Sequence, residues 1–346
     1  MEKIIDLKNL ILTSKDNLLK AMERLNKDGP KFQIIVNDSK LIGTITDGDI
    51  RRSIMKGFTT ASLVTECMNK NPARGVINSP ETHSKLFNSV PSLIKFLPIV
   101  DSNNILKYVL IEEYKSIHKS VLIMAGGFGK RLGNLTKNKP KPLLKIGKEI
   151  ILENLLKKLE KANFKNIYIS TFYLHEKFEK FIKERANNDE TNIKLLREDK
   201  PLGTAGSISL VPDADRDLLM VINADVVSDL DFEAIALLHA EKSNDITLAV
   251  AKYSYPLPFG LVTFDKNLNF KKIREKPVIN HHILSGIYFL NKKVCNYVET
   301  DYLDMTSLIE KAHLLNCKVK IYPIYESWKD LGSIRDFNQN KNEVKL

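Results

Sequence analysis

Between Val121 and Pro142 the chain reads VLIMAGGFGKRLGNLTKNKPKP, its densest collection of residues able to handle anions. Gly126, Gly127 and Gly129 let the backbone bring its N–H groups close to a ligand. Lys130, Arg131, Lys139 and Lys141 add full positive charges within the same short span. Amides gathered beside such cations attract phosphate, so the chemistry to expect is a polyphosphate pocket. Two common glycine-rich loops are excluded. A P-loop needs Gly-Lys followed by Ser or Thr, whereas Gly129-Lys130 is followed by Arg131. The dinucleotide fingerprint G-x-G-x-x-G fails because Leu132 stands at its third glycine. The competing reading is a glycine turn with solvated lysines. His281-His282 is read as structural or surface rather than metal-binding, because neighbours on a strand point to opposite faces.

The full register, G-G-x-G-x-R-L-x-x-L-T-x-x-x-P-K-P, resembles the opening motif of the sugar-1-phosphate nucleotidyltransferases. That resemblance implies nucleotide contacts at Ala125, Gly126, Gly127, Gly129, Lys130 and Arg131. Pro201-Leu202-Gly203-Thr204-Ala205-Gly206 is similar to the family's base-binding segment, implying contacts at Pro201, Gly203, Thr204 and Ala205. Small residues there allow backbone to approach a flat ring, and peptide groups can read a base edge. Its wording resembles the guanylyltransferases; the thymidylyl and uridylyl enzymes usually carry a glutamine in this segment. Asp225 stands where the family holds Mg²⁺ on a strand-end aspartate, although Ala224 replaces the usual glycine and crowds the sugar side. Trp328-Lys329-Asp330-Leu331-Gly332 resembles W-x-D-x-G, whose aspartate (here Asp330) supplies the second metal carboxylate. Mg²⁺ commonly takes one or two carboxylates with phosphate oxygens and water, which suits such a pair. Asp229 and Asp231 read instead as caps of the following helix. Three later segments, around Gly260, Glu275-Lys276 and Gly286 to Tyr288, resemble the sugar-phosphate pocket. By the same resemblance Arg131 faces the leaving pyrophosphate, Lys141 the α-phosphate and Lys276 the sugar phosphate. Arg131, Lys141, Asp225 and Asp330 are therefore the expected catalytic set.

Positioning these groups requires a scaffold. From residue 119 onward, apolar strand-like runs alternate with amphipathic helix-like runs: Ile150 to Phe164, Tyr173 to Arg185 and Phe232 to His239 at helical spacing, with Ile167 to Ser170, Ile193 to Leu196 and Leu218 to Ile222 as strands. The alternation predicts an α/β fold, a Rossmann-like, mostly parallel mixed sheet with helices on both faces. The motifs fall at the C-terminal ends of strands, where ligands bind in such sheets.

Residues 1–118 contain a repeat. Ile34-Ile35-Val36, a turn and Leu41 to Thr46 recur as Pro98-Ile99-Val100, a turn and Ile105 to Leu110, each hairpin preceded by a helix (Lys15 to Leu25 and Ser84 to Ile94). Gly43-Thr44-Ile45-Thr46-Asp47-Gly48-Asp49-Ile50 resembles the nucleotide-binding motif of CBS domains, which occur in tandem as an α+β pair. It implies a regulatory adenine or guanine nucleotide with phosphate at Thr46 and ribose at Asp49, with Arg51 and Arg52 near the phosphates. In the second copy Lys107, Leu110 and Glu113 stand at the corresponding places, leaving one good site per pair; the alternative is a structural or dimerising module. Tyr114 to Ser120 reads as a short linker between a 1–118 CBS-pair domain and a 119–346 sugar nucleotidyltransferase domain.

Composition sets the remaining bounds. The chain has 346 residues, 43% hydrophobic and 27% charged, ordinary values for a globular protein. No apolar run is long enough to span a membrane, and the N-terminus lacks the apolar stretch of a signal peptide. Three scattered cysteines (Cys67, Cys295 and Cys317) form no metal-ligand spacing and read as reduced thiols of a cytoplasmic protein. The net charge of +11 is spread among acids, without a basic arm, which argues against nucleic acid as partner. The resemblance as a whole, to CBS-fused sugar-1-phosphate guanylyltransferases such as those making GDP-glucosamine for legionaminic acid, implies Mg²⁺-dependent guanylyl transfer from GTP to a hexose-1-phosphate. It also implies a homodimer or higher homo-oligomer. Glucosamine-1-phosphate is the first expected acceptor, with mannose- and heptose-1-phosphate behind it. CTP, UTP or dTTP as donor, or a nucleotide sensor with an inactive transferase scaffold, are the alternatives.

Overall fold

The computed structural model describes residues 2–4, 6–25, 31–89, 95–112, 117–185 and 191–330. The chain divides into two compact units, one of Met1–His118 with Glu233–Ser243 and one of Lys119–Phe232 with Asn244–Leu346.

In the first unit the alternating apolar runs form two small sheets. Phe32–Asn37 and Lys40–Thr46 make one hairpin, flanked by Ile11–Thr13. Phe96–Val100 and Leu106–Ile111 make the second, flanked by Glu2–Ile4 and Gly75–Val76. Both hairpins carry a bulge at the same place, between Ile35 and Val36 and between Ile99 and Val100. The copies face one another with local two-fold symmetry. Equivalent rings Phe32 and Phe96 stack in parallel with centroids 3.9 Å apart. Equivalent turns exchange backbone bonds, Leu41 N–H to Asn104 O and Leu106 N–H to Ser39 O, each 3.0 Å. Phe32, Ile34, Val36, Val100 and Val109 share one buried cluster between them.

The register corrects one detail of the sequence comparison. Gly43 and Thr46 lie opposite Ile35 and Phe32, and in the second copy Ile99 and Phe96 lie opposite Tyr108 and Ile111. The second turn holds one residue more, so Tyr108 and Ile111, rather than Lys107 and Leu110, correspond to Gly43 and Thr46. Glu113 lies outside the described residues. The helices are shorter than expected, Leu18–Leu25 and His83–Ser89, with residues 90–94 outside the description.

The second unit is built on a seven-stranded sheet in the order Asn192–Arg197, Asn166–Thr171, Ser120–Met124, Leu218–Asn223, Val278–Asn291, Ile246–Pro256, Val319–Ile324. All neighbours are parallel except Val278–Asn291, which runs against both of its own. The middle strands are buried along nearly their whole length, as a sheet covered on both faces requires. Helices Ile151–Lys161, His175–Glu184 and Met305–Leu314 occur between strands. Ser120–Met124 has Asn166–Thr171 on one side and Leu218–Asn223 on the other, which opens a switch point beyond their C-terminal ends. Ile246–Pro256 and Val278–Asn291 outrun the sheet and stay paired to Pro256↔Val278, forming an arm tipped by the hairpin Leu261–Phe264 and Phe270–Arg274. A ribbon of Val226–Ser228 with Trp328–Asp330 follows the central strand.

Candidate active site

At the switch point Ser120–Met124 gives way to the glycine turn. Ala125 N–H still donates to Ser170 O (2.9 Å), and there sheet pairing ends. Among the described residues, the N–H groups of Gly126, Gly127, Phe128 and Gly129 find no protein acceptor. They border a cavity of about 520 Å³. The Glu198 carboxylate packs close against Gly126, where a Cβ would lie 2.8 Å from Oε1. Thr136 Oγ1 lies 3.0 Å from Gly129 O and 3.2 Å from Gly133 O, bracing the turn. Lys130 and Arg131 line the cavity, Lys130 Nζ lying 5.3 Å from the centre of the Phe128 ring. Lys139 is exposed and takes no part in the lining.

Two distant segments meet at the far wall. Lys141, only 8% exposed, donates a short hydrogen bond to Asp225 Oδ2 across the cavity. Asp225 sits just past the strand Leu218–Asn223, and Ala224 lines the cavity beside it. Val226, the next residue, lies opposite Asp330 in the ribbon, so the backbones carrying both aspartates run side by side. The Asp330 side chain, Leu331 and Gly332 lie outside the described residues. No group of three metal-ligating side chains occurs among the described residues. The donor chemistry nevertheless fits Mg²⁺, which needs one or two protein carboxylates when phosphate oxygens and water complete its shell. Asp229 pairs with Lys158 (3.1 Å), away from that role.

The base-binding segment is only partly as expected. Pro201, Gly203 and Thr204 line the cavity. Ala205 does not: it is fully buried in the main core, and its N–H is spent on Leu303 O (2.8 Å). Leu202 O accepts from Leu303 N–H and Gly206 N–H donates to Leu303 O. The Leu202 carbonyl and the Ala205 and Gly206 N–H groups are therefore occupied by Leu303 rather than left to read a base. Three side chains that sequence reasoning missed stand here instead. Glu198, 6% exposed, accepts from Ser170 Oγ (2.5 Å) and Leu202 N–H (3.0 Å). Tyr302 and Asp304 line the same end. Glu198 follows the strand Asn192–Arg197, so the strand-end rule that singled out Asp225 could have found it. Nothing local in the sequence marks Tyr302 or Asp304. The cavity lining thus combines the amides and cations of the glycine turn and Lys141 with the carboxylates of Glu198, Asp225 and Asp304.

The expected sugar-phosphate residues separate. Gly260 and Glu275 meet each other, a Cβ on Gly260 falling 3.1 Å from Glu275 Oε2. Together with Lys276 they sit exposed on the arm, and none of the three lines the cavity. Gly286 packs on the amide of Asn223, a lining residue. Tyr288 departs from expectation: it is 6% exposed within the main core, where burial pushes its phenol upward. That part of its strand is covered on both faces, so no side leads to ligand. In the first unit, Thr46 and Asp49 are engaged with each other. They form the capping box of helix Asp47–Met55, with Thr46 Oγ1 2.8 Å from Asp49 Oδ2, and Arg52 pairs with Asp49 at 2.6 Å. Both line a separate cavity of about 260 Å³, walled also by Leu237 and Leu238 of the same unit. Arg51 is buried and paired with Asp47 (2.7 Å).

Comparison with known proteins gives the family and the fold. Residues 120–345 match the Nucleotidyl transferase family, and the chain belongs to that family. It is 29% identical over 221 residues to the mannose-1-phosphate guanylyltransferase catalytic subunit beta of Drosophila melanogaster, covering 62% of this chain and 60% of that protein. A mannose-1-phosphate guanyltransferase of Neurospora crassa is 30% identical over 223 residues, with 62% and 61% covered. The chain thus spans about three fifths of the length of the curated relatives it matches. HddC from Yersinia pseudotuberculosis, solved with GMP-PN, superposes with a TM-score of 0.51 over 64% of this chain and 98% of that one. At 22% identity it is similar in fold. No helix among the described residues is long and apolar enough to cross a membrane.

Proposed function

We propose that the chain transfers a guanylyl group from GTP to a hexose-1-phosphate, giving a GDP-sugar and pyrophosphate. The observation that carries this reading is the run of acceptor-free N–H groups from Gly126 to Gly129 beside Lys130, Arg131 and the Lys141–Asp225 pair. Such a cradle takes a triphosphate. An oxygen of the sugar phosphate attacks the α-phosphorus of GTP, the bond from that phosphorus to the bridging oxygen breaks, and pyrophosphate leaves. The nucleophile is already ionised, so no general base is needed. The work is positioning and charge stabilisation. Arg131 faces the leaving pyrophosphate and Lys141 the α-phosphate. Lys276 and Glu275 are assigned to the sugar phosphate and its hydroxyls by resemblance alone, since both lie on the arm outside the cavity lining. Mg²⁺, held by Asp225 and Asp330, would supply Lewis-acid charge when bound.

Guanine is favoured by the carboxylates in the cavity lining. Its edge offers N–H donors at two adjacent positions, and Glu198 and Asp304 present acceptors. For the acceptor, glucosamine-1-phosphate is the first choice by resemblance, for a bacterial glycan pathway such as that to legionaminic acid. The relatives named above act on mannose-1-phosphate, which is the second. Residues 1–118 are proposed to be a tandem CBS pair, supported by the two-fold related hairpins and the cavity at Thr46 and Asp49. The site there would take a regulatory nucleotide.

The test is pyrophosphate release with each of GTP, ATP, CTP, UTP and dTTP against a panel of sugar phosphates, with Mg²⁺, the product identified by mass. GTP with a hexose-1-phosphate should give the fastest release and a GDP-sugar. Faster release from another nucleotide would overturn the donor. No release from any pair would favour a nucleotide sensor on an inactive scaffold.

A further inference from the structure

We propose that Tyr302 is the stacking platform for the nucleobase and that Asp304 fixes the attitude of its ring, making residues 301–305 a determinant of nucleoside affinity. The inference rests on the nucleotide pocket argued above. The lining sets the direction: a triphosphate on the amides of Gly126 to Gly129 with Lys130 and Arg131 leaves Gly203, Thr204, Tyr302 and Asp304 as lining for the base. Leu303 takes the Leu202 carbonyl and the N–H groups of Ala205 and Gly206, so those peptide groups are not open to a base.

Tyr302 is well built for the role. Its side chain is exposed to the cavity although the loop beneath it is rigidly tied. Leu303 N–H donates to Leu202 O (3.0 Å), Met305 N–H to Thr204 Oγ1 (2.8 Å), and Lys200 pairs with Asp301 (2.8 Å). Gly203, at φ +75°, admits Leu303 O so closely that a Cβ would fall 2.6 Å from it. The ring is then oriented from its tip, the phenol donating to Asp304 Oδ2 (3.0 Å), while Asp304 Oδ1 lies 3.3 Å from Thr204 Oγ1. That hydrogen bond also pushes the phenol above its ordinary range. At 62% exposed, Tyr302 contributes little to the core, leaving a large aromatic surface with no partner in the fold that would require it there. Aromatic rings in such positions hold bases through their faces, tolerantly of base identity.

The experiment compares GTP and inorganic triphosphate binding to the full chain by titration calorimetry, for wild type, Tyr302→Ala and Tyr302→Phe. Losing a base–aromatic stack should weaken GTP about 5- to 150-fold in Tyr302→Ala. Inorganic triphosphate should bind both proteins alike, and Tyr302→Phe, which keeps the ring but frees its tip from Asp304, should lose less GTP affinity than Tyr302→Ala. Unchanged GTP affinity in Tyr302→Ala overturns the proposal. So does an equal loss for GTP and triphosphate, which would place the effect in the loop rather than at the base. A Tyr302→Phe defect as large as that of alanine would assign the effect to the hydroxyl and overturn it also. Because binding is read without turnover, a chain that binds GTP but releases no pyrophosphate fails the transferase reading alone. One that binds neither ligand fails the pocket itself.

Discussion

Lys141 and Asp225 come from segments far apart in the chain and form an ion pair with little solvent around it. Such a pair holds a cation ready where negative charge builds up on the α-phosphate. Replacing one preorganised donor typically costs about 2.7–4 kcal/mol of transition-state stabilisation, so Lys141→Ala should lower kcat by about 10²–10³-fold. The loss should appear with little change in KM for GTP, read by steady-state pyrophosphate release. Glu198 is the residue to test for donor choice. Glu198→Gln keeps the shape and one acceptor but adds donors against the guanine N–H groups. The ratio of kcat/KM for GTP over UTP should fall by the equivalent of about 1–3 kcal/mol, the worth of one good base contact. An unchanged ratio would remove Glu198 from base reading. The cationic residues were legible in the sequence because glycines and lysines cluster locally. Ala205 and Tyr288 were misplaced because only tertiary packing decides whether a motif residue faces the ligand or the core. Tyr302 and Asp304 were invisible, since their place beside residues 202–206 is made by backbone bonds across a hundred residues of chain.

The strands beneath the site were read correctly in kind because their apolar runs are continuous, and the antiparallel placing of Val278–Asn291 was not, because pairing direction has no local signature. Element ends hold two further tests. Asp245, where the strand Ile246–Pro256 begins, accepts from Lys318 N–H and Asn291 Nδ2, both at 2.7 Å, joining three strand ends. Burial acts to raise its pKa, but these donors and Lys293 outweigh it and hold the carboxyl below its ordinary value. A depressed pKa contributes stability that is present above the ordinary carboxylate range and lost as pH falls through the folded value. The melting temperature of wild type should therefore fall further than that of Asp245→Asn between about pH 6 and about pH 3. Parallel curves would show that Asp245 contributes nothing in acid. In the first unit, Thr46→Ala removes the N-cap of helix Asp47–Met55, a loss worth about 1 kcal/mol. Amide exchange in that helix should accelerate accordingly; unaltered exchange would leave the hydroxyl with a ligand role alone.

At the scale of the whole molecule, the sequence repeat in 1–118 was legible from its hairpins, while the grouping of Glu233–Ser243 with that unit was not. A helix that reads as ordinary in the local pattern takes its allegiance from the surface it covers. If the first unit senses a nucleotide, occupancy should shift the transferase by a coupling of about 1–3 kcal/mol, abolished in Asp49→Ala and measured as the change in KM for GTP with added adenine or guanine nucleotides. The central claim, however, is the phosphate cradle of the second unit with its Lys141–Asp225 pair, and it is tested most directly by the initial rate of pyrophosphate release from GTP and glucosamine-1-phosphate or mannose-1-phosphate in wild type and Lys141→Ala side by side. The account predicts rapid GDP-sugar formation by wild type and a rate about 10²–10³-fold lower in the variant. Equal rates in the two proteins would contradict it.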